Sequence, residues 1–291
     1  MGLSSAAKRL LRPMGLAPQR SWPFLRLLSR SVDPERTLAA LPPGMREIVS
    51  WRSENSPPEP DDELYHVWKQ IPQGHKWRHY FPIYRDVLEP LRSFVGGRPR
   101  RFLEIGIYRG ASLELWRRFL PSETVIVGID IDESCRRFED PASNVFCRIG
   151  SQADPAFLRR VVEEFGPFDA ILDDGSHRSP DMIASFGCLF LDGLTESGVY
   201  LVEDTHTNCW PGDVEEGKGT FLDFARDLTE VMHLHYRAAR HEPQFRLGHA
   251  ERLASFDVPR LTRELREIRF LDSMVVFCRE AGRPVPISEH L

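Results

Sequence analysis

Two short acidic clusters, each with a histidine close behind, carry the first chemical signal: Asp173-Asp174-Gly175-Ser176-His177 and Glu203-Asp204-Thr205-His206. Both follow apolar runs of β type, so both belong at strand ends. Carboxylates that converge at one edge repel one another unless a cation neutralises them. Hard oxygen ligands with room for water suit Mg²⁺ or a similar divalent ion. Asp174, Glu203 and Asp204 are the expected ligands. Asp173 is expected to turn inward as a hydrogen-bond acceptor beside the cofactor. His177 follows Asp174 closely enough to reach a hydroxyl held near such an ion. A neutral imidazole near pH 7 can accept that hydroxyl's proton. His206 is the rival base.

A second signal is Phe102-Leu103-Glu104-Ile105-Gly106-Ile107-Tyr108-Arg109-Gly110, followed by Ala111 and Ser112. Glycine lets the chain turn sharply from strand to helix and lets a ligand lie against the backbone. Ligands of doubly wound sheets bind at the carboxyl ends of the strands. The next β-type run ends in Asp130, placed to accept the hydroxyls of a ribose. A nicotinamide site calls for G-x-G-x-x-G, whereas this turn has only Gly106 and Gly110. Glu104 would repel a pyrophosphate and would suit the ammonium of a methionine-like group. The residues therefore favour S-adenosylmethionine over NAD. Glu104, Gly106, Tyr108, Ser112, Asp130 and Asp173 are the cofactor-binding candidates.

The elements that must position these groups are legible from periodicity. Apolar runs at 101–105, 125–131, 145–149, 168–172 and 199–204 alternate with helical stretches. Runs apolar on both faces belong to a buried parallel sheet. One helix opens at Asp154-Pro155 and another at Ser179-Pro180. A further helix is expected from about Pro82 to Phe94, kinked or cut short at Pro90. The run 268–278 holds two β-type stretches split only by Asp272-Ser273, too close for a crossover helix. They should pair antiparallel. The expected fold is α/β, a doubly wound Rossmann-like sheet with an antiparallel last strand.

Four regions follow: a basic arm and linker over 1–62, an aromatic helical cap over 63–97, the sheet domain over 98–282 and a tail over 283–291. In the cap, His75, Lys76, Trp77, His79 and Tyr80 either fold over the cofactor and offer stacking faces to a sugar, or form a layer on the sheet edge. Trp210-Pro211-Gly212 and Gly217-Lys218-Gly219 bracket a charged loop, read as a lid over the acceptor.

Length and composition bound the rest. With 291 residues, 41% of them hydrophobic, the chain can bury the core of one α/β domain plus an appended segment. A net charge of −5 with mixed signs gives no reason to expect nucleic acid. Five scattered cysteines without a CxxC pair argue against a disulfide framework or zinc site, and make a reducing, cytoplasmic setting the default. No run is apolar and long enough to span a bilayer. The first 32 residues carry Lys8, Arg9, Arg12, Arg20, Arg26 and Arg30 and no acid. They read as a poorly ordered tail; a transit peptide or a weak contact with an anionic membrane surface is the alternative.

Taken in order, LEIGIYRGASLELW, GIDID, GSQADP, DDGSH, VEDTHTNCW and FLDSMVVF resemble the metal-dependent sugar O-methyltransferases, among them the mycinamicin-type macrolide-sugar enzymes and mycobacterial polysaccharide methyltransferases. The resemblance runs from about residue 64 to 280. It implies a class I methyltransferase fold with an antiparallel seventh strand. It also implies Mg²⁺ on Asp174, Glu203 and Asp204, and a base at His177. Gln152 or Asp154 would lie near the adenine. Where the family often reads GDQSDP this chain reads GSQADP, so Ser151 replaces the usual acid. The larger macrolide enzymes have a longer N-terminal region, so their substrate and assembly do not carry over.

The expected activity is methyl transfer to a hydroxyl of a sugar or glycoside, with a small-molecule or oligosaccharide acceptor and the oligomer left open. A phenol or catechol methyltransferase shares every motif. A metal-dependent hydrolase or hydroxylase ranks lower, because an iron oxygenase needs two histidines and one carboxylate on one metal. A binding module that keeps only the fold would not need intact acids and His177.

Overall fold

Five of the apolar runs form the parallel part of one sheet, in a computed structural model that describes residues 34–49, 58–93, 97–210, 219–235 and 258–284. In chain order the elements are α1 (Pro34–Ala39), α2 (Glu63–Trp68), α3 (Tyr80–Leu88), β1 (Arg101–Ile105), α4 (Ala111–Phe119), β2 (Val125–Asp130), β3 (Val145–Ile149), α5 (Pro155–Phe165), β4 (Phe168–Asp173), α6 (Ser179–Leu189), β5 (Leu194–Glu203), α7 (Phe221–Met232), α8 (Arg260–Glu264), β6 (Leu265–Leu271) and β7 (Met274–Arg279). The seven strands lie in the order β3-β2-β1-β4-β5-β7-β6. β7 runs antiparallel to both β5 and β6, as the short Asp272-Ser273 connection requires.

The register explains the site. Ile105 pairs with Ile129 on β2 and with Asp173 on β4, so Gly106, Asp130 and Asp174 leave the sheet at one edge. That edge is the switch point, where β1 and β4 begin connections in opposite directions.

Each face of the sheet has its own core. Phe102, Leu172 and Leu201 point to the face covered by α2, α3 and α4, with Leu64, Tyr80, Phe81, Tyr84 and Trp116. Leu103, Ile171 and Val202 point to the other face, with Phe157, Met182, Phe186, Phe221 and Phe277. The aromatic cap thus shares one core with the sheet.

Local signals act as expected at several ends. Asp154 caps α5 by accepting from Ala156 N at 2.9 Å, with Pro155 in the first turn. Thr220 and Asp223 form a capping box on α7. The largest boundary shifts are in α3 and β5. The helix expected to start near Pro82 begins at Tyr80 and ends at Leu88, followed by a 3-10 turn over Glu89–Arg92, because Pro90 cannot continue the α-helical ladder. β5 starts at Leu194, earlier than the expected Val199, and stops at Glu203 because Asp204 turns to a φ of 56°. All five cysteines are free. No helix among the described residues is long and apolar enough to cross a membrane. The basic arm over 1–32, Phe94, and the segment 211–218 at the centre of the expected lid lie outside the described residues.

Candidate active site

The edge where β1, β2, β4 and β5 end opens into a cavity of about 540 Å³, within the usual size of small-molecule sites. Its walls include the glycine turn, Asp130, Gln152, the acidic cluster and the cap segment around Lys76. Six described non-glycine residues have positive φ, and four of them, Gln73, Tyr108, His177 and Asp204, line this cavity. Strained backbone of this kind persists where a site is over-determined by its surroundings.

At the glycine turn, Gly106 has a φ of 97°, and a Cβ there would lie 2.1 Å from the Asp174 carbonyl oxygen. The glycine is thus required by the approach of β1 to β4. Asp130 holds the turn in place: one oxygen accepts from Ile107 N (2.8 Å) and Tyr108 N (2.9 Å), the other from Asp132 N (2.8 Å). Burial raises its carboxyl, but those three backbone donors outweigh burial and hold it below the usual range. Tyr108 is largely exposed over the turn, and Ser112 forms part of the wall.

Two cofactor candidates face elsewhere. Glu104 shares strand parity with Phe102, so it points into the cap-side core. It is fully buried and accepts from Ser112 Oγ (2.9 Å) and Trp116 Nε1 (3.0 Å). Burial pushes its carboxyl up to about 7 against the pull of Lys76 and those two donors. It lies behind the residues that line the cavity. Asp173 shares parity with Ile171 and turns to the opposite face. It accepts from Ser185 Oγ (2.5 Å), Tyr200 OH (3.0 Å) and Gln152 Nε2 (3.0 Å) and also lies off the cavity. Its inward turn was expected. Gln152 does line the cavity, and its Oε1 accepts from Ser176 N at 2.7 Å, so it braces the loop after β4. Asp154 is spent on capping α5.

Asp174, Glu203 and Asp204 do come together, with an arrangement the spacing did not reveal. Lys76 from the cap puts its ammonium 2.5 Å from Asp174 Oδ2 and 2.5 Å from Glu203 Oε1. The lysine side chain is 3% exposed and Glu203 1%. Glu203 Oε2 accepts from Tyr84 OH, so both oxygens of this acid are engaged. Burial pushes the Asp174 and Glu203 carboxyls up, and Asp174 raises Glu203 further, while Lys76 pulls both back. The opposite balance holds at Lys76: burial favours the neutral amine, yet the surrounding acids win and raise it.

The open side of the cluster consists of Asp174, His177 and Asp204, whose ligand atoms lie within 4.8 Å of one another. His177 Nε2 is 3.8 Å from Asp174 Oδ1 and 3.8 Å from Asp204 Oδ2. Its Nδ1 is buried without a hydrogen-bond partner. Asp204 Oδ1 accepts from Tyr80 OH at 2.6 Å. His206 sits behind Asp204 and off the cavity, its Nδ1 2.6 Å from Ser273 Oγ and its ring between Trp77 and Trp210. Lys76 and Tyr80, named from the sequence only as part of the cap, meet the acids, and so does Tyr84, which motif reading missed. Their signal was a polar lysine within an aromatic stretch destined to cover the acids.

No protein-family model matches the chain. Curated relatives do. L-olivosyl-oleandolide 3-O-methyltransferase of Streptomyces antibioticus is 44% identical over 149 residues, 48% of this chain and 36% of its own. The Streptomyces olivaceus enzyme named 8-demethyl-8-alpha-L-rhamnosyl tetracenomycin-C 2'-O-methyltransferase is 34% identical over 170 residues, 54% of this chain and 43% of its own. The chain thus spans less than half the length of these relatives. Among solved structures, the MycE methyltransferase from the mycinamycin biosynthetic pathway, in complex with Mg, SAH and mycinamycin VI, superposes with a TM-score of 0.60 at 24% identity, covering 78% of this chain and 56% of that one. The fold is that of the class I methyltransferases, and in sequence the chain resembles the sugar O-methyltransferases of macrolide and tetracenomycin pathways.

Proposed function

We propose that this protein transfers a methyl group from S-adenosylmethionine to a hydroxyl of a sugar or glycoside, with the help of a divalent cation. The observation that carries this reading is that one cavity joins the Asp130-braced glycine turn to the acidic cluster along a single strand edge. The likeness to sugar O-methyltransferases chooses the glycoside over a phenol or catechol.

The residues fit both groups. The cavity has the volume of a small-molecule site, and the turn with Asp130 offers backbone and carboxylate to a nucleoside. S-adenosylmethionine supplies an electrophilic methyl group. The acids fit a hard cation: the donor atoms of Asp174 and Asp204 face one another, and among the described residues one ammonium, that of Lys76, lies against Asp174 and Glu203. A bound divalent ion lowers the pKa of an alcohol that approaches it. Asp174, Glu203 and Asp204 would hold the ion. His177 would accept the hydroxyl proton at Nε2 as the methyl group leaves the sulfonium sulfur for the hydroxyl oxygen, with S-adenosylhomocysteine as the leaving group. His206 is set apart by its bond to Ser273 and positions the Asp204 loop.

Incubation with pooled glycosides, S-adenosylmethionine and Mg²⁺ should give products heavier by one CH₂, and EDTA should stop it until Mg²⁺ is restored. Methylation of catechols but of no glycoside would move the reading to the phenolic class, and full turnover in metal-free protein would refute the role of the ion.

A further inference from the structure

The rim of the cavity beside the acidic cluster carries aromatic rings that the proposed chemistry does not use. Of the four tryptophans among the described residues, Trp116 is fully buried and Trp68 packs against the cap-side core, whereas Trp77 is 47% and Trp210 52% exposed. These two half-exposed indoles come from distant parts of the chain, the cap and the turn after β5, and flank one residue. The His206 ring lies 5.7 Å from Trp77 and 5.0 Å from Trp210, centre to centre. Large apolar rings left in water at one place mark a surface that meets a ligand or a partner.

The rim is held from both sides. The turn between β6 and β7 fixes two histidines that flank Trp77: His79 Nε2 lies 3.2 Å from Asp272 O, and His206 Nδ1 lies 2.6 Å from Ser273 Oγ. Trp210 N donates to Thr207 O at 3.0 Å, and Asn208 Oδ1 accepts from Leu222 N of α7 at 3.1 Å. The rim also borders the acidic end of the cavity. Trp77 lines that cavity, and His206 Nδ1 is 3.8 Å from Asp204 Oδ1. The rings are stepped, with His206 inclined 83° to Trp77 and 66° to Trp210. A flat phenol is held best in a narrow slot with parallel walls. A stepped, open rim suits a puckered ring that offers C–H groups on one face and hydroxyls at its edge.

We propose that Trp77 and Trp210, spaced by His206, form the acceptor platform: they take the C–H face of a pyranose ring while a hydroxyl at its edge reaches the acidic end of the cavity. The inference rests on the glycoside reading above. Stacking of this kind is made equally in the bound substrate and in the transition state, so its loss raises KM and leaves kcat nearly unchanged.

The test is steady-state methylation of a pool of methyl pyranosides by the full chain, with the best acceptor of the pool then taken alone. Trp77→Leu and Trp210→Leu keep an apolar side chain and remove the ring. Each should raise the KM of that pyranoside about tenfold and change kcat by less than about threefold. Trp77→Phe and Trp210→Phe keep a ring and should recover most of the loss. The rise in melting temperature given by S-adenosylhomocysteine should match that of the parent in all four variants. Unchanged KM in both leucine variants overturns the proposal, and so does a phenylalanine that serves no better than leucine. Loss of the S-adenosylhomocysteine shift would make the tryptophans struts of the cap, and altered sedimentation with KM unmoved would make the rim a contact between copies of the chain; either result overturns the platform. If the parent methylates none of the pyranosides, the glycoside reading falls and the platform with it. If it methylates them and KM does not respond, only the platform falls.

Discussion

His177 stands at the one position where two roles compete. Its Nε2 is equidistant from Asp174 and Asp204, so it can take a proton or complete a metal site. The two roles separate by measurement. As a base, His177→Ala lowers kcat by about 10²–10⁴-fold and leaves Mn²⁺ affinity intact. A ligand role predicts that Mn²⁺ affinity falls together with kcat. Unchanged kcat, with His206→Ala inactive, would transfer the role to His206. Glu104 offers a different residue-scale test, since it touches the core and not the cavity. Its carboxyl is raised from 4.5 to about 7 in the folded state, so the stability it contributes is complete below pH 4.5 and is lost as pH rises through about 7. Glu104→Gln removes that titration. Between pH 5 and pH 8 the variant should gain on the parent protein by up to about 3 kcal/mol, read from guanidinium midpoints. Parallel pH profiles for the two proteins would show that Glu104 stays ionised when buried.

Strand parity is the element-scale rule that sorted the acids. Glu104 aligns with Phe102, Asp174 with Leu172 and Glu203 with Leu201, so all three turn to the cap side; Asp173 aligns with Ile171 and turns away. From the sequence, the parallel sheet, the end hairpin and the gathering of Asp130, Asp174 and Asp204 at one edge could be read in advance. What parity could not show is which helix covers each face. The cap lies about a hundred positions upstream of the acids it covers, and Lys76 meets Asp174 across 98 positions and Glu203 across 127. The repulsion argument therefore asked correctly for a cation, yet assigned the whole charge to a metal when a lysine supplies part of it. The β6–β7 hairpin ties a second distant pair. Ser273 Oγ lies 2.7 Å from Tyr80 OH and 2.6 Å from His206 Nδ1, while its own φ is 61°. Ser273→Gly should relieve about 1 kcal/mol of left-handed strain and lose hydrogen bonds of similar worth. Thermal stability should then change little while turnover falls, because Tyr80 and His206 lose their common anchor on either side of Asp204. Wild-type turnover would reduce the hairpin's contact to a structural one.

At the scale of the molecule, the groups that line the cavity come from the cap, from the turn after β1 and from the ends of β2, β4 and β5, so no single element contains the site. A ligand that fills this cavity bridges both faces of the sheet and should stabilise the folded chain as a unit. For S-adenosylhomocysteine, the unreactive product, a concentration about a hundredfold above its Kd adds roughly 2.7 kcal/mol to folding stability. For a large domain each kcal/mol raises the melting temperature by about 2–4 °C, so a rise of at least about 5 °C is expected by calorimetry. Asp130→Ala should largely remove the shift, because it takes away the carboxylate that holds Ile107 N and Tyr108 N in the turn. Mg²⁺ alone should produce its own, separate rise through the acidic cluster, and EDTA should erase only that one. The two halves of the cavity are held by different groups, Asp130 at one end and Asp174 with Asp204 at the other. The two shifts should therefore be close to additive when both ligands are present. A cofactor shift that survives Asp130→Ala would place the nucleoside elsewhere in the cavity. A cofactor shift abolished by EDTA would instead mean that the nucleotide turn and the acidic cluster operate as one coupled site.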